Sequence, residues 1–369
     1  MEPHLPHGPL GLYIHIPWCL TRCPYCVFFA MPFSRSAFDH YLQILVAEKK
    51  LYLPMIDRSL SSVYFGGGTP SLLSGQQIKA IISDLPLQDN AEITLEINPI
   101  QINERFLLDL QESGINRVSL GVQSLIDSEL TLLERKHKAA DIAPALGLLM
   151  DHGYRNVSAD LIYGLPNSNI KQLQINLEMM LALPINHLSC YLLELPDTGP
   201  LAGYKDQIPD DETLAEQYHL IRKMVEAAGF VQYEISNFAR PGHASHHNLL
   251  YWHGDDYLAW GASASGHFGS AKYHNPADLE AYESNVRAGT IFPESDEGHN
   301  EAADYVMMRL RLREGLDFAE YQKRFGQSFG RADSINKLHR LGMLELDDAG
   351  IRLSDEALFI SNAVIAELL

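Results

Sequence analysis

Basic side chains are in short supply here: 28 Lys and Arg stand against 47 Asp and Glu, a net charge of −19 across 369 residues. Such a surface repels phosphate backbones and anionic headgroups, so nucleic acid is not expected as a partner. Long apolar runs are missing as well. Nothing approaches the ~20 consecutive apolar residues of a membrane-spanning helix. The opening Met1-Glu-Pro-His, with no basic residue before Arg22, lacks the charged start and apolar stretch of a secretion signal. A cytoplasmic chain without a transmembrane segment is expected. Cysteine is scarce too, four in all. In a reducing compartment so few thiols point to a metal centre or a reactive site rather than to a disulfide framework.

Three of the four cysteines sit within eight residues, Cys19-Leu-Thr-Arg-Cys23-Pro-Tyr-Cys26, while Cys190 has no obvious companion. A Cys-x3-Cys-x2-Cys loop offers three thiolates and no local fourth, whereas structural zinc sites usually close with four ligands. Inert buried thiols, zinc, and a four-iron cluster with one iron left open for a ligand are the readings this spacing allows.

From about residue 12 to 240, β-branched or aromatic runs alternate with segments of helical period. "LYIHIP", "VYFGGG", "EITLEIN", "RVSLGVQ", "VSADLIYGLP" and "LSCYLLEL" read as strands, and "FDHYLQILVAEKK", "QQIKAIISDL", "ERFLLDLQESG", "IAPALGLLMDHG" and "IKQLQINLEMMLAL" as the helices between them. Ser74 and Gln77 form a capping box, and Gly114 and Gly153 suit C-terminal stops. Repeated βα units imply a parallel sheet, open and doubly wound or rolled into a full or partial barrel, with ligands at the strands' C-terminal ends. Glu96, Asn98, Gln123 and Asp160 fall near such ends. "FGGGTP" at 65–70 is either a tight turn or a close approach of backbone to a ligand. After about residue 240 comes a Gly-, Ser- and His-rich stretch of no clear period, read as a long loop, in which His243, His246, His247 and His253 gather. From about 299, helices lead to a hairpin turning at Asp347-Asp-Ala-Gly350, a winged-helix-like order. With 12 acidic against 9 basic side chains over 299–369, a structural or docking role is expected rather than DNA binding.

"YIHIPWC…CPYC", "GGGTP", "LEINP", "RVSLGVQS", "RKH" and "DLIYGLP" together resemble the radical S-adenosylmethionine (SAM) enzymes, and within them the oxygen-independent coproporphyrinogen III oxidase group, over most of residues 10–260. The resemblance implies an α/β fold, a partial (β/α) barrel of TIM type, in which Cys19, Cys23 and Cys26 hold a [4Fe-4S] cluster whose open iron binds SAM. It places Tyr13, Tyr25, Gly67, Gly68, Thr69, Glu96, Gln123, Arg135 and Asp160 on SAM-site positions. Arg135 would suit the SAM carboxylate, since a guanidinium pairs with carboxylate bidentately. It also divides the chain into a core (1–240), a His-rich connecting segment (241–298) and a HemN-like winged-helix domain (299–369).

True oxidases of that group carry a fourth cysteine two residues after the third and a longer N-terminal segment; here Phe28 stands at that place and 18 residues precede Cys19. His247-Asn-Leu-Leu-Tyr-Trp252 instead matches the HNxxYW motif of the heme chaperone subfamily, HemW. That resemblance implies heme held by His247, Tyr251 and Trp252, an imidazole being a good axial ligand and the rings offering flat apolar faces. It further implies transfer of heme to apo-hemoproteins, respiratory ones among them. Val27 stands where this subfamily usually has an acidic residue, and "GASASGHFG" at 261–269 lacks its usual Ala-His pair, offering His267 instead. Two enzymatic alternatives are radical decarboxylation of coproporphyrinogen III and radical-driven opening of heme. Whether SAM is turned over, and whether the chain forms a homodimer or touches a membrane surface, is open at this level.

Overall fold

The computed structural model describes residues 8–195, 200–296 and 299–369, so the opening Met1-Glu-Pro-His lies outside the described residues. Six strands run parallel, β1 (Leu10–Ile16), β2 (Leu60–Gly67), β3 (Leu87–Ile97), β4 (Arg117–Gln123), β5 (Asn156–Tyr163) and β6 (His187–Leu192). They stand side by side in chain order, each pairing with the next. A doubly wound sheet reverses its strand order at a switch point, and an uninterrupted progression is what rolls into a barrel. The barrel is partial because both ends of the series pair elsewhere. At one end β6 meets β8 (Asn237–Ala239) antiparallel, and β8 meets β7 (Val231–Gln232).

At the other end the stretch expected to be a long loop supplies structure of its own. It holds the helix His246–His253 and the strands β9 (Asp256–Trp260), β10 (Ser265–Phe268) and β11 (Ala271–His274). β9 lies parallel to β1, with Leu10 opposite Asp256 and Ile14 opposite Trp260. Residues 256–274 therefore finish the core sheet. The helix before them hides its period because it is anchored by polar contacts rather than by an apolar stripe.

Covering helices alternate with the strands: α1 (Arg35–Tyr52), α2 (Gly75–Ile82), α3 (Glu104–Leu110), α4 (Asp127–Leu132), α5 (Ala139–Asp151), α6 (Ile170–Leu181) and α7 (Asp211–Ala227). The Ser74–Gln77 capping box is present, and Gly153 takes the left-handed conformation (φ +89°) just behind α5. Strand residues on the outer face are apolar, as in Leu12, Ile14, Val63, Phe65, Leu95, Val118, Leu120 and Val122, and pack beneath these helices. Each contributes roughly 1.5–3 kcal/mol by leaving water.

The inner face is different. Tyr13 pairs with Tyr64, Tyr64 with Thr94, Thr94 with Arg117, while Glu96 pairs with Ser119, Ser119 with Ser158 and Ser158 with His187. A parallel sheet packed on both faces reads as continuous apolar strands. Here every second residue is polar, so the concave face is built to hold something polar.

After the helix His246–His253, which we call α8, come α9 (Leu279–Ala288) and α10 (Glu301–Arg309). The expected hairpin follows as β13 (Leu344–Leu346) and β14 (Gly350–Leu353), joined by β12 (Leu316–Asp317), with α11 (Phe318–Phe325), α12 (Ala332–Arg340) and α13 (Ser361–Ala366). Asp347 accepts from the backbone N–H groups of Ala349 and Gly350, which fixes its turn. Asp355 ties this unit to α7, lying 2.7 Å from both Arg222 and Arg313. Among the described residues no helix is long and apolar enough to cross a membrane.

Candidate functional site

The cysteine loop leaves β1 at its C-terminal end. Trp18–Cys19 pairs with Met31–Pro32, which closes the loop into a neck, and Cys26 N–H donates to Cys23 O inside it. His15 secures the neck from below: its Nδ1 meets Tyr13 Oη and its Nε2 meets Phe29 O, both at 2.9 Å. Cys19, Cys23 and Cys26 are free thiols. Burial pushes the Cys19 and Cys26 thiols up; Cys26 and Cys23 add to it at Cys19, and Cys23 adds to it at Cys26. Thiols raised in this way are poor thiolates unless a cation compensates them.

Side chains from neighbouring strand ends reach this loop. Thr69 Oγ1 donates to Cys19 Sγ at 3.5 Å. Arg135 Nη1 donates to Cys23 Sγ at 3.4 Å, and its Nη2 donates to Asn98 Oδ1 and Gly121 O at 2.5 and 2.7 Å. Tyr25 lies against the same guanidinium and thiol. Arg135 Nε is buried without a hydrogen-bond partner among the described residues, a donor left over for an acceptor. Gln123 sits at positive φ (68°), where the pairing of β4 with β5 shifts register, so β4 ends in a bend beside Arg135.

The glycine run lies over β1. Gly68 N–H donates to Ile16 O, and a Cβ at Gly68 would stand 2.7 Å from Trp18 O and 2.8 Å from Trp18 N, so backbone meets backbone where only glycine fits. Gly67 N–H donates to Glu96, whose other oxygen accepts from Tyr64 Oη at 2.9 Å. Glu96 is pushed up to about 7 by burial and further by the Asp160 charge; Asp160, held by Ser189 and Ser119, is pushed up to about 6 by burial. Two buried acids facing one pocket would welcome a cationic or hydroxyl-bearing ligand.

The nine positions proposed for SAM thus converge on the C-terminal end and concave face of the barrel. Of the HNxxYW residues only His247 reaches them, its ring stacked 6.4 Å from that of Tyr13. α8 plugs the opposite end, where Glu92 accepts from Ser245 Oγ and from the backbone N–H groups of His246 and His247 at 3.1–3.2 Å. His247 points into the barrel floor, almost wholly buried, with Nδ1 2.8 Å from Ser62 Oγ and Nε2 2.6 Å from Tyr251 Oη, and its ring stacks on Tyr64. Both ring nitrogens are committed, and burial pulls the imidazole down to about 3. Trp252 faces another way, under the Arg311 guanidinium 4.8 Å from its ring centre. Ser62 to Gly67 along β2 is roughly 16 Å at ~3.3 Å per residue, which separates the two ends. Among the described residues no three His, Cys, Asp or Glu side chains stand close enough together to hold one ion.

His15, Tyr64, Ser119, Ser189 and the Glu92–Arg117 pair were not singled out by motif. Their signal is alternation: in "RVSLGVQ", Arg117, Ser119, Gly121 and Gln123 share the face opposite Val118, Leu120 and Val122.

Comparison with known proteins adds to this geometry. Residues 13–180 match the model of the radical SAM superfamily, and residues 299–360 that of the HemN C-terminal domain. The chain is 31% identical over 384 residues to the heme chaperone HemW of Mycobacterium tuberculosis, covering 99% of this chain and 96% of that one. It is 31% identical over 373 residues to heme chaperone HemW of Bacillus subtilis, covering 97% and 98%. Among solved structures, Escherichia coli coproporphyrinogen III oxidase (HemN) superposes with a TM-score of 0.83 at 22% identity, covering 99% of this chain and 91% of that one, a likeness of fold.

Proposed function

The chain belongs to the heme chaperone HemW family of radical SAM proteins, and from that premise we propose that it binds heme and passes it to apo-hemoproteins while carrying a [4Fe-4S] cluster and SAM. The observation that carries the reading is the convergence of three free thiols, an arginine with an unused donor and two buried acids on one end of the barrel. Cys19, Cys23 and Cys26 would hold the cluster, whose chemistry is to bind SAM at an open iron and supply an electron to its sulfonium. This chain's own residues do the positioning. Arg135 offers its free Nε–H to the SAM carboxylate and screens the charge of Cys23. Glu96 and Asp160, acidic groups poised near neutrality, accept from the ligand's amine and hydroxyls. Gly67 and Gly68 keep the wall thin, while Tyr13, Tyr25, Thr69 and Gln123 shape its sides.

The heme end of the proposal rests on α8. Tyr251 and Trp252 offer ring faces, whereas His247 would first have to release Ser62 or Tyr251 to reach an iron. The test is anaerobic: reconstitute the cluster, titrate heme by difference absorption, then add an apo-hemoprotein and follow its holo spectrum. Saturation near one heme per chain, followed by transfer, supports a chaperone. No binding, together with decarboxylation of coproporphyrinogen III on adding SAM, sinks it in favour of the oxidase.

A further inference from the structure

Aromatic rings stand in file from the cysteine loop to the far end of the barrel. The file starts at the neck of the loop, where His15 Nε2 meets Phe29 O and Nδ1 meets Tyr13 Oη, both at 2.9 Å. A carbonyl only accepts, so Nε2 carries the proton and Nδ1 accepts from the Tyr13 hydroxyl. From Tyr13 the ring centres step 6.2 Å to Tyr64, 5.2 Å to His247, 4.9 Å to Tyr251 and 4.4 Å to Tyr257. Tyr64 Oη donates to Glu96 at 2.9 Å, and Tyr251 Oη stands 2.6 Å from His247 Nε2, which accepts when Nδ1–H faces Ser62 Oγ at 2.8 Å. Tyr13 at one end and Tyr257 at the other are partly exposed. A buried hydroxyl needs some partner. Here the partner of each of the first three phenols is a base, an imidazole or a carboxylate, and a phenol gives up an electron readily only when its proton has somewhere to go.

We propose, resting on the SAM reading of the cysteine-loop end, that Tyr13, Tyr64, Tyr251 and Tyr257 form a relay that drains a stray carbon-centred radical from the barrel to a soluble thiol. A chaperone offers such a radical no substrate hydrogen, and the barrel wall or the cargo would otherwise supply one. The radical takes the phenolic hydrogen atom of Tyr13: a C–H bond forms and a weaker O–H bond breaks. Tyr13 regains an electron from Tyr64 and a proton from water on the open concave face. Tyr64 lends its proton to Glu96 as the electron leaves and takes it back when Tyr251 supplies the next one. Tyr251 does the same with His247 Nε2. An imidazole is harder to oxidise than a phenol, so His247 bridges the step between Tyr64 and Tyr251 and holds the proton. Tyr257 loses its electron to Tyr251 and its proton to water, and a thiol restores it by giving up a hydrogen atom. The sum is one radical and one thiol consumed, one C–H bond and one thiyl radical formed.

The experiment starts with full-length, cluster-reconstituted protein given SAM, one equivalent of reductant and a spin trap, with no thiol added. 5′-Deoxyadenosine is quantified and the trapped adduct is mapped by mass spectrometry. Expected is an adduct on Tyr257 that falls about tenfold or more, per 5′-deoxyadenosine formed, in Tyr251→Phe. Tyr305→Phe, which lines the same recess as Tyr257 but stands off the file, should leave it unchanged. Each variant is checked for native circular dichroism. Cleavage of SAM with no adduct on Tyr257, or with an equal adduct in Tyr251→Phe, overturns the relay and leaves the SAM reading standing. A second arm needs neither SAM nor cluster: a ruthenium photo-oxidant tethered through Cys23 of the Cys19→Ser/Cys26→Ser chain, Cys190 being buried, creates the hole by a flash. The same Tyr257 adduct, with the same dependence on Tyr251, is expected there, and its absence overturns the relay. If the loaded parent cleaves no SAM, the SAM reading falls and takes the radical's assigned origin with it.

Discussion

Arg135 Nη1 donates to Cys23 Sγ across 3.4 Å, so a residue that follows β4 is held against a loop that follows β1. Replacing it with lysine keeps the charge and removes the planar fork. Arg135→Lys should retain the parent iron content and bind SAM roughly 10- to 100-fold more weakly, the range of one hydrogen bond to a charged group. Isothermal titration with SAM checks this, and unchanged affinity would show that another group meets the carboxylate.

The four cysteines divide three to one. Cys190 is buried on the outer, helix-covered face, where burial raises its thiol far above the usual range. Cys190→Ala should keep the full iron complement after anaerobic reconstitution, whereas alanine at Cys19, Cys23 or Cys26 should abolish it. Iron and sulfide assays read the difference.

Glu92→Ala removes the carboxylate that accepts from three groups at the start of α8 and that stands 3.8 Å from Arg117, both partners being buried. It leaves Arg117 charged and unpaired. Breaking a buried pair in this way costs about 3–5 kcal/mol. A matching drop in urea stability is expected, while a change below about 1 kcal/mol would mean that water has replaced the carboxylate.

Acid should weaken the fold through buried imidazoles. His247 titrates near 3 in the folded chain and near 6.5 unfolded. Between those values the unfolded chain binds a proton that the folded one refuses, so stability falls as pH drops from about 6.5 toward 3, by up to ~1.4 kcal/mol per pH unit. His247→Asn should flatten the curve by about one proton across that window. His15, His137, His187 and His267, also lowered by burial, add to the slope that remains, while Glu48, Glu96 and Asp160, raised by burial, oppose it.

Much of this was legible in the sequence, and for definite reasons. The six parallel strands carry β-branched and aromatic runs, and "RVSLGVQ" coincides with β4, residue for residue. The cysteine spacing and glycine run are local motifs that need no partner to be seen. What stayed hidden depends on distance along the chain. Asp256–Trp260 becomes a core strand only because Leu10–Ile14 leaves an edge free for it. His247 looked accessible in a polar loop, and it is buried because Glu92, more than 150 residues earlier, caps its helix. Polar alternation on the inner face was readable, but one strand alone does not say which face is inside.

The pairing of β9 with β1 sets a schedule for synthesis. On the ribosome, the first strand of the barrel must wait for residues 256–260 before its second neighbour exists. Until then a nascent chain shows a row of unsatisfied N–H and C=O groups beside an apolar strand, the kind of edge that recruits foreign strands. The barrel therefore completes late, and α8, which precedes β9, arrives just in time to stopper its floor. A stall or truncation before residue 256 would release a chain able to form the cysteine loop but prone to aggregate.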